Sequence, residues 1–177
     1  YSLSLYADIP PSKWEFAKKE HGKQALVLPA AMPAINFNLT HTEGLAACVV
    51  SLNMACGIDA ENRNRKSRLA AVANRMFADE EIELLSKQDM RRHFFYYWTL
   101  REAYVKALGT GLSGSSKEFY FDVDLDGMSA MLCRGDSRQV VDDSWQFRLY
   151  EPTSENVVSV AYKSSDPLKV KPRELIP

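Results

Sequence analysis

Two acidic residues, Asp59 and Glu61, stand two positions apart in the segment GIDAE, a spacing that suits shared chemistry. Alternate residues of a β-strand project from the same face. A strand over residues 57–61 therefore presents two carboxylates side by side. Carboxylate oxygens can hold Mg²⁺, which keeps some waters and takes its remaining ligands from substrate phosphates. The pair predicts a magnesium site for a phosphorylated substrate, with a merely polar strand end as the alternative.

A second group consists of Trp98, Glu102 and Lys106, which follow one another at intervals of four residues. Residues four apart lie on the same face of a helix. Taken alone, Glu102 and Lys106 are typical of an ordinary surface ion pair, and Trp98 is typical of core packing. Taken with the D-x-E pair, Glu102 is a third metal carboxylate and Lys106 is a cation for a phosphate group.

A third group, Thr40 and His41, lies near the end of the segment FNLTHT. Phe37 and Leu39 alternate with polar residues, which predicts a strand. This strand brings a hydroxyl and an imidazole together, and both can hydrogen-bond phosphate oxygens. By itself the pair is uninformative, because a single histidine is more often structural than catalytic.

Three helices are expected to carry or support these groups. Apolar residues recur every three to four positions from Ser67 onward, again after Asp79, and from Met90 to Leu108. Asp79 is the expected N-cap of the second helix. Glycines at positions 109 and 111 should end the third helix, which carries Glu102 and Lys106.

Strands are expected on both sides of the helices. The first 36 residues show no clear period and predict irregular structure, whereas the apolar run at 46–52 predicts a buried strand. Beyond the helices, residues 119–125, 145–150 and 158–162 alternate with period two. Asp126-Gly127 predicts a hairpin turn between the first two of these later strands. The pattern predicts an α+β fold, with antiparallel strands packed on helices.

The composition excludes several classes of protein. With 177 residues, 46% of them hydrophobic, the chain fits one domain or two small halves that share a core. A net charge of −1 argues against nucleic acid as a partner, and no apolar stretch suits a membrane span. The start of the chain lacks a secretory signal. Cys48, Cys56 and Cys133 have neither disulfide nor zinc spacing, so we expect a reduced, cytoplasmic compartment.

Three motifs in this order and spacing carry a resemblance to a known family: FNLTH, GIDAE and WTLREAYVKALGTGL. Together they resemble the 4′-phosphopantetheinyl transferases of the two-domain, Sfp-like class. The segment MFADEE resembles the family's FFxxxE element, with Glu81 as its glutamate, and His21-Gly22-Lys23 resembles the G-K segment that precedes FN-x-(S/T)-H. Arg101 stands where the family usually has a lysine.

The resemblance implies a holo-[acyl-carrier-protein] synthase type of enzyme. Such an enzyme transfers 4′-phosphopantetheine from coenzyme A to a serine of an apo acyl or peptidyl carrier protein and releases 3′,5′-ADP. It further implies that Asp59, Glu61 and Glu102 hold Mg²⁺. Glu102 is the favoured base for the serine, and Asp59 is the alternative.

The resemblance also implies a set of residues that hold coenzyme A. Lys106 is expected to neutralise the leaving phosphate, and His41 to bind the α-phosphate side. Thr40 is expected to offer its hydroxyl to the phosphates, and Lys23 to flank the adenine nucleotide.

The implied architecture is a pair of halves related by a pseudo-twofold axis. Residues 1–52 would be a remnant of the N-terminal half, and residues 53–177 the C-terminal half with the metal site. The basic loop 62–68 is either a docking patch for an acidic carrier protein or a solvated loop. Two other functions stay open: a non-catalytic module that binds coenzyme A or the carrier protein, and a different metal-dependent phosphate enzyme.

Overall fold

The computed structural model of the protein describes residues 2–18, 24–27, 34–111, 117–135, 139–166 and 170–174. Within these ranges the chain forms short 3₁₀ turns near its start, followed by strands and helices. In chain order these are β1 (Glu15–Lys18), β2 (Gln24–Val27), β3 (Ile35–Thr42), β4 (Leu45–Leu52), β5 (Cys56–Asn62), α1 (Leu69–Met76), α2 (Asp79–Ser86), α3 (Met90–Leu108), β6 (Tyr120–Asp124), β7 (Ser129–Arg134), β8 (Gln139–Val140), β9 (Trp145–Tyr150) and β10 (Asn156–Lys163).

The main sheet is antiparallel, with the strand order β5-β10-β9-β7-β6 and with β8 paired to β7. Helix α3 packs on this sheet. Leu100 and Ala103 of the helix are buried in one apolar cluster with Phe121 of β6 and Phe147 of β9. The α+β fold class expected from the sequence is confirmed.

Local signals define the ends of α3. The Asp89 carboxylate accepts hydrogen bonds from the backbone N–H groups of Arg91 and Arg92, which caps the first turn. At the other end, Gly109 has a φ of 75°, the left-handed conformation that glycine adopts without strain. These two signals keep Glu102 and Lys106 well inside a regular helix, so the two side chains share one face.

Gly57 sets the distance between α3 and β5. A Cβ atom at this position would lie 2.1 Å from the carbonyl oxygen of Ala103 and 2.5 Å from the backbone nitrogen of Ala107. No side chain fits in that space, so only glycine allows the helix to lie directly on the strand. This contact brings Asp59 and Glu61, on the same face of β5 as Gly57, next to α3.

A hairpin of β3 and β4 forms a separate two-stranded sheet beside β5. On one of its faces, Ala47 and Val49 pack against Ile58 of β5 and Val160 of β10. At one end of the hairpin, Phe37 joins a second cluster with residues near the start of the chain. The hairpin thus covers β5 on the side away from α3.

Three expectations about elements were wrong. The first 36 residues are not wholly irregular, because they contain β1, β2 and the start of β3; four-residue strands are too short to show a period. Asp79 is the first residue of α2, and Ala78 holds the cap position. The strand after the Asp126-Gly127 turn is β7, which the period missed because its adjacent residues Leu132 and Cys133 are both buried.

Candidate active site

Asp59 is the buried centre of the site. Its Oδ1 atom accepts a hydrogen bond from Lys106 Nζ at 2.6 Å and one from the Thr40 hydroxyl at 3.3 Å. Its Oδ2 atom is buried and has no hydrogen-bond partner among the described residues. Burial raises the pKa of Asp59, and Lys106 and Thr40 counteract that rise. A buried carboxylate oxygen without a partner is a good acceptor for a cation.

Glu61 lies one strand repeat further along the same face of β5. Its carboxylate forms an ion pair with the guanidinium of Arg65, whose side chain is 57% exposed. Burial raises the pKa of Glu61, and the charge of Asp59 raises it further. Arg65 and a hydrogen bond from Trp98 act in the opposite direction. Trp98 also stacks on Phe94. The same side chain therefore both packs in the interior and contacts Glu61 in the site.

Glu102 approaches these two carboxylates from α3. Its pKa is raised to about 7, chiefly by burial and then by the charge of Asp59; Lys106 lowers it, and Glu61 adds a smaller rise. The carboxylate therefore takes up and releases a proton near neutral pH. Such a group is well suited to accept a proton during a reaction.

Lys106 reaches across from α3 to β5. Besides its bond to Asp59, Nζ donates to the carbonyl oxygen of Ile58 at 3.3 Å and lies 3.5 Å from the Thr40 hydroxyl. The side chain remains 30% exposed, so it lies at the border between the interior and the solvent. This geometry places Lys106 in the site rather than in a solvated pair on the outer surface of the helix.

The structure places only some of the residues that are expected to bind phosphate at the centre of the site. Thr40 is at the centre, because its hydroxyl also accepts a hydrogen bond from the backbone N–H of Ala60. His41 follows Thr40 on the strand and therefore projects from the opposite face, where it is exposed and pairs with Ala46 across the hairpin. Lys23 lies outside the described residues.

The donor set fits a magnesium ion in its chemistry. Asp59, Glu61 and Glu102 offer hard oxygen atoms, one of them an orphaned buried oxygen, and their mutual repulsion would be relieved by a cation. Across the described part of the chain, no three Asp, Glu, His or Cys side chains are grouped closely enough to hold a metal ion. Lys106 and Arg65 instead neutralise Asp59 and Glu61.

Arg65 contacts the site, although its sequence position places it in the basic loop 62–68. The sequence feature that could have indicated its contact with Glu61 is the spacing of four residues between them. That spacing indicates a contact on a helix but not at the end of a strand, where the turn decides which side chains meet. The turn is formed by hydrogen bonds from the backbone N–H groups of Asn64 and Arg65 to the side chain and carbonyl of Asn62.

Glu81 and Arg101 are brought together away from Asp59, Glu61 and Glu102. Both are fully buried and form an ion pair. Glu81 also accepts hydrogen bonds from the backbone N–H groups of Ala78 and Phe121, and Arg101 donates to the carbonyl of Phe119. The pair ties α2, α3 and β6 into one body and so supports the helix that carries Glu102.

Comparison with known proteins assigns the family. Residues 55–161 match the model of the 4′-phosphopantetheinyl transferase superfamily. This match covers more than half of the chain and includes Asp59, Glu61 and Glu102. The chain belongs to the 4′-phosphopantetheinyl transferase superfamily, as its motifs indicated.

Several curated relatives are similar to this chain. The 4′-phosphopantetheinyl transferase HetI of Nostoc sp. is 36% identical over 114 residues, which are 63% of this chain and 48% of HetI. The transferase gsp of Aneurinibacillus migulanus is 32% identical over 65% of this chain and 46% of its own length. The transferase pptA of Paxillus involutus is 29% identical over 77% of this chain and 56% of its own length. The chain thus spans about half the length of these relatives.

A solved structure is also similar. The holo-[acyl-carrier-protein] synthase of Thermotoga maritima aligns with a TM-score of 0.48 and 24% identity, over 63% of this chain and 64% of that protein. Within the described ranges, no helix has both the length and the apolar character needed to cross a membrane.

Proposed function

We propose that this protein transfers the 4′-phosphopantetheine group of coenzyme A to a serine of an apo acyl or peptidyl carrier protein and releases 3′,5′-ADP. The observation that carries the proposal is the meeting of Asp59 and Glu61 on β5 with Glu102 and Lys106 on α3, in a member of this superfamily. Two curated relatives that bear the transferase name are 36% and 32% identical to this chain over 63% and 65% of its length.

Asp59, Glu61 and Glu102 would hold Mg²⁺. When bound, the ion would neutralise charge on the pyrophosphate of coenzyme A. The orphaned Oδ2 of Asp59 is the first oxygen available to it. The Glu61 carboxylate becomes available when Arg65 turns away from it. The Glu102 carboxylate becomes available when it loses its proton. Charge neutralisation and positioning supply most of the catalysis in phosphoryl transfer.

The transfer joins the serine oxygen of the carrier protein to the β-phosphorus and breaks the bond from that phosphorus to the oxygen of 3′,5′-ADP. Glu102 is the proposed base for the serine proton, directly or through a water, because it approaches the site from α3 beside Asp59. Asp59 is the alternative base. Lys106 neutralises the negative charge that develops on the leaving phosphate.

The remaining phosphate-binding roles rest on the motif. Thr40 is already beside Lys106, and its hydroxyl can turn toward a phosphate oxygen. His41 is exposed on the opposite face of β3 from Thr40, so its assignment to the α-phosphate side rests on the motif alone. Lys23 is assigned to the adenine nucleotide on the G-K resemblance alone.

The carrier protein is proposed to dock at the loop that follows β5. Arg63 is turned inward, where it bonds Tyr96 and Glu151, and Arg65 is paired with Glu61. Lys66 and Arg68 are exposed and remain to meet an acidic partner. Opposite charges across an interface mainly raise the association rate and the specificity.

The elements before and after residue 52 differ in kind. Strands β1 to β4 precede this point, whereas the main sheet and all three described helices follow it. We propose that residues 1–52 belong to one half of the pseudo-twofold fold and residues 53–177 to the other, with the metal carboxylates in the latter. Cys48, Cys56 and Cys133 form no disulfide in the described part of the chain, which supports a reducing, cytoplasmic location.

A transfer assay tests the proposed function. The chain is incubated with coenzyme A, Mg²⁺ and an apo carrier protein; the carrier's mass and the released nucleotide are then measured. We expect holo carrier and 3′,5′-ADP, with Asp59→Asn slower by about a hundredfold or more. Coenzyme A binding without product would favour the non-catalytic module. A nucleotide product other than 3′,5′-ADP would favour a different phosphate enzyme.

A further inference from the structure

Side chains of β3 form a regular series of hydrogen bonds along the edge of β5. At alternate positions of β3, a side-chain oxygen accepts a hydrogen bond from a backbone N–H group of β5. In each bond the β5 residue lies 20 positions later in the sequence than its β3 partner. The three bonds run from Ile58 N to Asn38 Oδ1 at 3.1 Å, from Ala60 N to Thr40 Oγ1 at 3.3 Å and from Asn62 N to Thr42 Oγ1 at 3.1 Å.

These bonds complete the hydrogen bonding of a strand that is paired on one side only. Strand β5 pairs with β10, and its other edge would otherwise leave alternate N–H groups without acceptors. Every residue of β5 is buried, so water is a poor substitute. The three side chains of β3 therefore act as the missing neighbour of β5, although β3 is not a strand of the same sheet.

The same bonds fix the direction of the carboxylates. The N–H groups that they hold belong to residues that alternate with Asp59 and Glu61. In a strand, fixing the N–H direction of alternate residues fixes the rotation of the strand about its axis, and with it the direction of the side chains between them. A strand held on both edges cannot turn Asp59 or Glu61 away from α3.

Side-chain acceptors also leave more room than a backbone neighbour would. Paired strands lie about 4.8 Å apart, whereas here side-chain atoms separate the two main chains. In this wider space Lys106 Nζ reaches Asp59 at 2.6 Å and Thr40 at 3.5 Å. An ordinary strand pair at this edge would close the space in which the three side chains meet.

We propose that Asn38 and Thr42 are positioning residues for the metal carboxylates, because they hold β5 in the rotation that points Asp59 and Glu61 at α3. This rests on the proposed function, in which those carboxylates bind the metal. Thr40 lies between the two and touches Asp59 itself, so Asn38 and Thr42 give the cleaner test.

The test measures Mn²⁺ binding to the full 177-residue chain by calorimetry, without substrate. Asn38→Ala and Thr42→Val each remove one acceptor. We expect each to weaken Mn²⁺ binding by about tenfold, as removal of groups that orient metal ligands commonly does. Thr42→Ser keeps the hydroxyl and should restore the wild-type affinity.

Two controls separate positioning from general loss of stability. Asn36 lies on the same face of β3 as Asn38 but is exposed, so Asn36→Ala should leave the affinity unchanged. Leu132→Ala creates a cavity in the core at β7 and should lower the resistance to urea while the folded protein keeps its Mn²⁺ affinity. Amide exchange at Ile58 and Asn62, which needs no metal, should accelerate in Asn38→Ala and Thr42→Val respectively.

Wild-type Mn²⁺ affinity in both Asn38→Ala and Thr42→Val would overturn the positioning role. So would unchanged exchange of the two amides, since the hydrogen bonds would then not hold the strand. Asp59→Asn distinguishes this failure from a failure of the proposed function. If Asp59→Asn loses Mn²⁺ while the β3 variants keep it, only the positioning role is wrong. If Asp59→Asn keeps Mn²⁺, the metal site itself is wrong.

Discussion

At the scale of single residues, the site is a set of carboxylates already neutralised by the protein's own cations. Lys106 pairs with Asp59, and Arg65 pairs with Glu61. The first cation lies within the site, whereas the second comes from an exposed loop. A divalent ion must compete with both, so the affinity for metal depends on how tightly each cation is held.

Arg65 is expected to weaken metal binding. An ion pair with an exposed partner contributes about 0.2–1 kcal/mol, so its removal should tighten Mn²⁺ binding by roughly 1.4- to fivefold. Arg65→Gln would be compared with Lys66→Gln by calorimetry. Lys66 carries the same charge next in sequence without an ion pair to Glu61. Equal gains in both variants would mean that only the general charge of the loop matters.

Glu102 is expected to make the stability of the metal-free protein fall with rising pH. Its folded-state pKa of about 7 lies above the ordinary value of 4.5, so the folded protein binds more protons between these values. Unfolding therefore becomes easier as the pH rises from about 4.5 to about 7, by on the order of 3 kcal/mol in total.

Urea unfolding of Glu102→Gln in EDTA measures this contribution. The glutamine cannot ionise, so the variant should be more stable than wild type at pH 8 and should approach it near pH 4.5. Glu83→Gln provides the control, because that carboxylate is on the surface of α2. A constant difference between Glu102→Gln and wild type across this range would refute the raised pKa.

At the scale of elements, side chains accept hydrogen bonds from backbone N–H groups at both edge strands of the main sheet, from three groups of β5 and from one of β6. Strand β5 is covered by acceptors from β3, and the N–H of Phe121 on β6 is held by the buried Glu81. Exposed strand edges promote association with other chains, and acceptor side chains prevent this. The two arrangements also hold β5 and α3, the elements on which the metal carboxylates lie.

Gly57 is expected to be essential for the approach of α3 to β5. The Cβ of alanine would collide with the backbone of α3 at 2.1 Å, and backbone cannot turn aside as a side chain can. Gly57→Ala should lower the free energy of unfolding by about 1–3 kcal/mol through overpacking. It should also weaken Mn²⁺ binding, because Glu102 is pushed away from Asp59. Unchanged Mn²⁺ affinity in the folded variant would show that the helix does not need this close contact.

Sequence patterns predicted some elements better than others. The bounds of α3 were predicted because its 19 residues keep one period and end at a glycine. The strand with Asp59 was predicted at 57–61 as a second strand after the apolar run at 46–52, and β5 contains it. Two features were not predicted: the pairing of Arg65 with Glu61, and the hydrogen bonds between β3 and β5. Both depend on how separate parts of the chain are placed relative to each other. The periodicity of a local sequence segment does not indicate how that segment is placed against another.

At the scale of the whole molecule, a net charge of −1 is distributed so that two exposed cations, Lys66 and Arg68, lie in the loop beside the site. Arg91, at the start of α3, donates hydrogen bonds to the carbonyls of Arg63 and Arg65 and so braces the loop against the helix. The exposed cations of the loop are thereby held in place next to Glu61. A braced loop presents its charges to a partner at little cost in conformational entropy.

The exposed pair Lys66 and Arg68 is expected to attract an acidic carrier protein. Reversing both to glutamate should raise KM for the carrier, since opposite charges speed association, and the effect should shrink at high salt as the charges are screened. KM for coenzyme A should hardly change, because the nucleotide is bound by other residues. Lys13→Glu, on the 3₁₀ turn near the start of the chain, is the matched control and should leave both KM values unaltered. Steady-state transfer at low and high salt decides the question: a parallel rise in KM for coenzyme A would assign the loop to the nucleotide site instead.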